Sequence, residues 1–98
     1  MKQHFFLKLN PPRPTFMMDI TAEENAIMQE HIMYWAHLSN KGKVIVYGPV
    51  MDLKGVYGVG IVEADNEEEL KDIISKDPAN GLNQYEYYPM KAVFKYMI

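Results

Sequence analysis

The sequence contains no cysteine, and this absence excludes several kinds of site at once. Without a thiol the chain can form no disulfide, no cysteine nucleophile and no thiolate metal ligand. The three histidines, His4, His31 and His37, include no i, i+4 pair on one helix, so we expect no zinc or iron centre either. A chain without cysteine also suits a reducing compartment, which favours a cytoplasmic location.

Positive charge is scarce and dispersed. Arg13 is the only arginine, the nine lysines are spread along the chain, and the formal net charge is -3 at pH 7. Because nucleic acids and anionic membranes are bound by clusters of lysine and arginine, neither is an expected partner. Charged and polar side chains interrupt the apolar residues of segment 1–9, which resembles neither a signal peptide nor a membrane span. We therefore expect a soluble protein that is not exported.

Motifs of nucleotide binding and of serine catalysis are missing as well. There is no Gly-x-Ser-x-Gly, no Gly-x-Gly-x-x-Gly after a strand and no phosphate loop, so we expect no cofactor. The chain is 48% apolar and 23% charged, which is typical of a compact protein. Its 98 residues suffice for one domain, assigned to residues 1–98, with a thin core that a second subunit would help to cover.

The order of apolar and turn-forming segments predicts six elements. Thr21 with Glu24, and Asn66 with Glu69, have the spacing of helix-capping boxes, so a helix is expected after each. Runs of aromatic and β-branched residues predict four strands, at 4–9, 43–50, 56–64 and 84–97. The order β, α, β, β, α, β favours an α+β, ferredoxin-like fold in which two helices cover one face of a four-stranded antiparallel sheet. The proline-rich segment 10–19 is expected to be an extended loop.

The uncovered face of this sheet predicts a partner. Strand 43–50 is apolar on both of its alternating faces, with Val44 and Val46 on one and Ile45 and Tyr47 on the other. An apolar face left in water is unfavourable, and a second copy of the chain is the simplest cover, so we expect a homodimer. On the next strand, two glycines on one face leave room for either a bulky neighbour or a ligand: Gly58 and Gly60.

The first helix carries an apolar stripe that includes a histidine. At about 100° per residue, six side chains share one face: Ile27, Met28, His31, Ile32, Trp35 and Leu38. Met33 and His37 fall nearer the opposite side. An inward His31 needs partners for its ring nitrogens, because an unpaired buried polar group costs about 1–3 kcal/mol. It is either a core histidine bonded to a carbonyl or a proton carrier at a site.

Asp77 precedes Pro78 at the expected end of the second helix, because proline disfavours a helical conformation of the preceding residue. Its carboxylate either accepts the amides of its own turn or reaches His31, since both helices are expected on one face of the sheet. A carboxylate beside the imidazole would fix its tautomer and raise its basicity, which prepares a histidine as a general base.

A set of short motifs follows these residues along the chain: Glu30-His31, Gly42, Tyr47-Gly48-Pro49, Asp77-Pro78, Gly81 and Tyr88-Pro89. In their order and spacing the chain resembles the YCII-related family, from the first strand to Phe94. The resemblance implies a dimeric ferredoxin-like α+β barrel with His31 and Asp77 as a catalytic dyad in a cleft. Proteins related in fold include muconolactone isomerases and cofactor-free monooxygenases, so it also implies lyase, isomerase or dehalogenase chemistry on a small organic molecule.

Two functions of different classes are therefore open. In the first, a metal-free enzyme, His31 moves a proton, Asp77 orients it, and further residues bind the substrate: Trp35, Tyr47, Gly48, Pro49 and, through a bidentate contact to a carboxylate, Arg13. A solvated loop arginine is the alternative for Arg13. In the second, a noncatalytic homodimer binds a small ligand or regulates an enzyme, and the pair is structural. A catalytic pair needs an open cleft beside the imidazole, whereas a structural pair can be sealed.

Overall fold

The computed structural model describes residues 2–95. Its elements in chain order are β1 (Gln3–Asn10), α1 (Phe16–Asp19), α2 (Ala22–Asn40), β2 (Val44–Val50), β3 (Tyr57–Ala64), α3 (Glu67–Ser75) and β4 (Gln84–Met90). Apart from the four-residue α1, the order is β, α, β, β, α, β. The expected α+β, ferredoxin-like fold is confirmed.

The four strands form one antiparallel sheet in the order β2-β3-β1-β4. The hairpin of β2 and β3 is present as expected, but a register shift interrupts it between Val44 and Val46. Val44 lies opposite Val62, whereas Val46 lies opposite Ile61. Since adjacent residues of β3 face opposite ways, the bulge puts Val44 and Val46 on different faces, contrary to the simple alternation expected from sequence.

The core lies between one face of the sheet and the two longer helices. Alternate residues of β1 are buried, and the two helices contribute to the same cluster. Its members are Phe5, Leu7, Leu9, Trp35, Leu38, Val44, Val62, Ala64, Leu70 and Ile73. Burial of each larger side chain stabilises the fold by about 1.5–3 kcal/mol. The placement of both helices on one face is what allows residues of α2 to meet the residues that follow α3.

The capping box predicted before α2 is present in full, and the one predicted before α3 is present in part. The Thr21 hydroxyl accepts from the Glu24 amide at 3.1 Å, and the Glu24 carboxylate accepts from the Thr21 amide at 2.9 Å. Before α3 the Asn66 side chain accepts from the Glu69 amide at 2.9 Å. The Glu69 carboxylate accepts instead from the Asp65 amide, one residue earlier than in a capping box.

Two segments differ from expectation. Segment 10–19 is not extended throughout, because its last part forms α1, where Phe16 is buried. The last strand ends at Met90, opposite His4, since β1 offers almost no further residues for pairing. Residues 91–94 follow without regular structure, and the end of the predicted strand at residues 96 and 97 lies outside the described residues.

Gly60 lies where the sheet packs against Trp35 of α2, so substitutions at Gly60 test this packing. A Cβ atom at this position would lie 3.5 Å from Trp35 Cζ3 and 3.5 Å from Tyr47 Cβ, which is ordinary contact. Gly60→Ala should therefore fold, but the γ-carbons of Gly60→Val would overlap the indole. We expect Gly60→Val to lower the free energy of unfolding by about 1–3 kcal/mol relative to Gly60→Ala, measured by urea denaturation. Equal stability of the two variants would contradict this packing.

Candidate active site

Asp77 is the most deeply buried ionisable side chain of the site. It follows α3 at the Asp-Pro step, and its side chain is 0% exposed. Oδ1 accepts from the Ala79 amide at 2.8 Å, and Oδ2 accepts from Trp35 Nε1 at 2.7 Å. The Nδ1 atom of His31 lies 2.8 Å from Oδ1 and 2.9 Å from Oδ2. The carboxylate therefore joins α2 to the turn that follows α3.

The hydrogen bonds keep this buried carboxyl group ionised. Burial alone would raise the pKa of Asp77, but hydrogen bonds from His31, Trp35 and the Ala79 amide outweigh it and hold the pKa below the usual 3.8. Each of these donors favours the charged form, since an ionised carboxylate is a better acceptor than a neutral one. Asp77 is consequently negative at neutral pH despite its burial.

The contact with Asp77 determines which nitrogen of His31 is free. An ionised carboxylate only accepts hydrogen bonds, so the nitrogen facing it, Nδ1, must carry a proton and donate. In the neutral ring the lone pair then resides on Nε2, to which no residue of the described range 2–95 forms a hydrogen bond. The His31 side chain is 14% exposed and lies in the wall of a cavity. The arrangement suits proton transfer through Nε2.

The cavity beside His31 has a volume of about 430 Å³, which falls within the range of small-molecule sites. It lies between α2 and the β2-β3 edge of the sheet, with α1 at one side. Four residues expected at the site line it: Trp35, Tyr47, Gly48 and Pro49. The ring centroids of Trp35 lie 6.1 Å from His31 and 6.0 Å from Tyr47, so the indole connects the imidazole to the sheet.

Arg13 does not line this cavity. Its guanidinium donates to both carboxylate oxygens of Glu24 at 2.8 Å and to Asp19 Oδ1 at 2.7 Å. The hydrogen bonds from Arg13 lower the pKa of Glu24 to about 2, so this pair stays charged at neutral pH. The expected contact of Arg13 with a substrate carboxylate thus finds no geometric support, because the side chain already binds two carboxylates of its own chain and fastens α1 to α2.

Sequence reasoning missed Asn83, which is 5% exposed and contributes to the cavity wall. Its amide nitrogen lies 3.8 Å from Met28 Sδ, while its buried Oδ1 has no hydrogen-bond partner within the described part of the chain. It also missed Tyr85, whose pKa is raised by burial and by the adjacent Asp77 carboxylate. Their positions depend on the turn after α3, and no local pattern in the sequence marks them.

Gly58 and Gly60 have different neighbours at the site. Gly60 lies against the indole of Trp35, and a Cβ on Gly58 would contact Leu9 at 3.4 Å. Gly58 also lines the cavity. Packing against a bulky neighbour, one of the two explanations expected from sequence, thus describes Gly60.

Within residues 2–95, no group of three or more histidine or acidic side chains is placed to hold a metal ion. No helix in the same range is both long and apolar enough to cross a membrane. The groups placed together at the site are an imidazole, a buried carboxylate and an apolar cavity.

Fold and cavity together define a small ferredoxin-like α+β protein with a ligand-sized cleft between sheet and helix. The chain belongs to the YCII-related family, because the family model of the YCII-related domain matches residues 4–93. No curated protein matches the sequence.

The solved structures that share the fold include the following two. One is 5-chloro-2-hydroxyhydroquinone dehydrochlorinase (TftG) from Burkholderia phenoliruptrix AC1100, in complex with 2,5-dihydroxybenzoquinone. It is 22% identical, with a TM-score of 0.58 over 89% of this chain and 93% of its own. The other is the uncharacterized protein TM1266 from Thermotoga maritima, 10% identical, with a TM-score of 0.53 over 93% of this chain and 100% of its own. At these identities the likeness extends to the fold alone.

The lowered pKa of Asp77 predicts a specific dependence of stability on pH. The folded state holds the carboxyl proton less tightly than the unfolded state, so ionised Asp77 stabilises the fold fully above about pH 4 and progressively less as pH falls below it. Asp77→Asn should lower the free energy of unfolding by about 1.5–3 kcal/mol at neutral pH, and by less in acid. Urea denaturation over a pH series measures both effects.

Asp52→Asn is the matched control, since Asp52 is exposed and accepts only a local amide, from Lys54. A stability difference between wild type and Asp77→Asn that does not shrink in acid would show that the ionised carboxylate is not the stabilising form.

Proposed function

We propose that the protein is a cofactor-independent enzyme that moves a proton on a small organic molecule. His31 is the general base and acid, and Asp77 orients it and stabilises its charged form. The walls of the substrate site include Trp35 and three residues of β2, which are Tyr47, Gly48 and Pro49. The observation that carries the proposal is the position of His31, with Nδ1 on a buried carboxylate and the ring in the wall of a 430 Å³ cavity.

The chemical step uses the free ring nitrogen. A C–H or O–H proton of the substrate passes to Nε2 of His31, and the imidazolium that forms is stabilised by the negative charge of Asp77. The electron pair left on the substrate becomes part of a new double bond. In an isomerisation the proton returns at another carbon, and in an elimination a leaving group such as chloride departs with its bonding pair while the proton goes to solvent.

The open cleft argues against a His31-Asp77 pair that is only structural, which is the role the pair would have in the alternative, a noncatalytic dimeric module that binds a small ligand or regulates an enzyme. A purely structural pair needs no cavity and could be sealed by the neighbouring aromatic rings. Here the imidazole is 14% exposed and adjoins a space large enough for a small molecule. That TftG is a dehydrochlorinase of the same fold supports an elimination as the first reaction to test.

His31→Gln should remove most of the activity, because glutamine can hydrogen-bond to Asp77 but cannot accept a proton. With 5-chloro-2-hydroxyhydroquinone as the trial substrate, we expect chloride release to fall by about 100-fold to 10,000-fold. His37→Gln is the control, since His37 lies exposed near the end of the same helix. Chloride release by His31→Gln at the wild-type rate would contradict the proposal.

We also propose that the chain forms a homodimer through the bare face of its sheet. Four apolar side chains lie side by side in one row across all four strands: Val46, Ile61, Phe6 and Tyr88. In the single chain two of these apolar side chains face water, because Val46 is 61% exposed and Tyr88 is 53% exposed. Such a surface is unfavourable in water, and a second copy of the same row would cover it.

Ile61→Glu should dissociate this dimer, because it would place a carboxylate in the middle of the row. Sedimentation of the wild type should give about 23 kDa, twice the 11.4 kDa of one chain, and the variant should sediment as a single chain. Leu53→Glu adds the same charge at a fully exposed loop position and should remain dimeric. A wild type that is monomeric at micromolar concentration would rule the interface out.

The remaining expectations stay predictions. A single sheet in the described residues, and one family match over residues 4–93, support the assignment of residues 1–98 to one domain. The prediction of a cytoplasmic location is supported by the absence of cysteine alone.

A further inference from the structure

The wall of the cavity contains no side chain with a full formal charge. None of the residues that line it within the described range is a lysine, arginine, aspartate or glutamate. Its titratable members are His31, Tyr47 and Tyr57, and most of the remainder is apolar. This composition differs from that of the whole chain, in which 23% of residues are charged.

Two sources of positive charge beside the cavity are already neutralised. Arg13, on the segment beside the cavity, is bound by the carboxylates of Glu24 and Asp19. If His31 becomes protonated, its charge is paired with Asp77 at 2.8 Å. A third cation, Lys8, lies with its Nζ 4.6 Å from the ring centroid of Tyr57, on the face of the sheet opposite the buried Leu7 and Leu9. An anionic ligand would thus enter an apolar space whose lining supplies no unpaired cation to bind it.

Moving a carboxylate from water into such a space is unfavourable unless a cation and hydrogen bonds replace its hydration. A neutral ligand does not have this cost. We propose that the site selects uncharged, largely apolar small molecules and discriminates against carboxylates and phosphates of the same shape. This inference rests on the proposed function, because it concerns the substrate of the same site.

Three amide side chains provide hydrogen bonding without charge. Asn25 and Gln29 lie on the α2 side of the cavity, and Asn83 lies at the wall near Met28. An amide can donate and accept, so together these groups match hydroxyl or carbonyl substituents rather than an ionised group. The ligand class is accordingly a neutral ring or chain compound that bears hydroxyl or carbonyl groups.

Binding of matched pairs tests this selection directly. The probes are 4-hydroxybenzamide against 4-hydroxybenzoate, and benzyl alcohol against benzoate, because each pair differs mainly in charge at neutral pH. Trp35 is the only tryptophan of the chain and lies at the cavity, so its indole N–H signal in NMR reports occupancy. We expect each neutral member to bind at least about tenfold more tightly than its anion.

A cation introduced at the cavity should reverse the preference. Gln29 lines the cavity from an exposed helix position, so Gln29→Arg should fold and present a guanidinium to the ligand. We expect its affinity for the two anions to rise at least about tenfold, with little change for the neutral members. Met33→Arg adds the same charge on an exposed part of α2 outside the cavity and should leave all four affinities unchanged.

The outcomes separate this inference from the function it rests on. Anions that bind the wild type as tightly as their neutral partners, or neutral probes that fail to perturb the Trp35 signal, would overturn the charge selection. Neither result would alter the effect of His31→Gln on chloride release, which decides the proposed chemistry. An equal gain of anion affinity in Gln29→Arg and Met33→Arg would also contradict the inference, because it would reflect net charge alone.

Discussion

The buried carboxylate of Asp77 is the interaction on which the rest of the site depends. A charge withdrawn from water costs several kcal/mol unless donors replace the lost hydration. Here the replacement comes from two side chains of α2, His31 and Trp35, and from the Ala79 amide of its own turn. Because these donors belong to distant parts of the chain, the energetic requirement of one carboxylate fixes how α2 sits against the end of α3.

The same requirement connects the sheet to the imidazole. While Trp35 donates to Asp77, its ring passes close to β3, and the absence of a side chain at Gly60 leaves space for it. Tyr47, the cross-strand partner of Gly60, lies beside the indole and lines the cavity. A glycine in the sheet, an indole, a carboxylate and an imidazole therefore form one packed series, in which a shift of any member would displace the imidazole at the cavity wall.

Local patterns were sufficient for the two longer helices and for the existence of the four strands, though not for α1 or the end of β4, and they identified some of the residues at the site. The Thr21 cap, the stripe that turns His31 and Trp35 toward the core, and the end of α3 before Asp77 all follow from short-range rules. The bulge in β2 and the position of Asn83 depend on contacts between distant segments, which no local pattern encodes. Arg13 shows the same limit, since its loop composition indicated an available cation, whereas Glu24 lies eleven residues later and binds it.

The two members of the His31-Asp77 pair are not equivalent in what their loss should do to the fold. Without His31, Asp77 keeps the donors from Trp35 and Ala79, so the buried charge retains much of its compensation. Without the Asp77 charge, the indole, the imidazole and the turn amide all lose their common acceptor. The carboxylate is thus explained by the fold as well as by chemistry. The second nitrogen of the imidazole has no partner within residues 2–95, and the ring lies in the wall of the cavity, so the fold depends less on the imidazole than on the carboxylate.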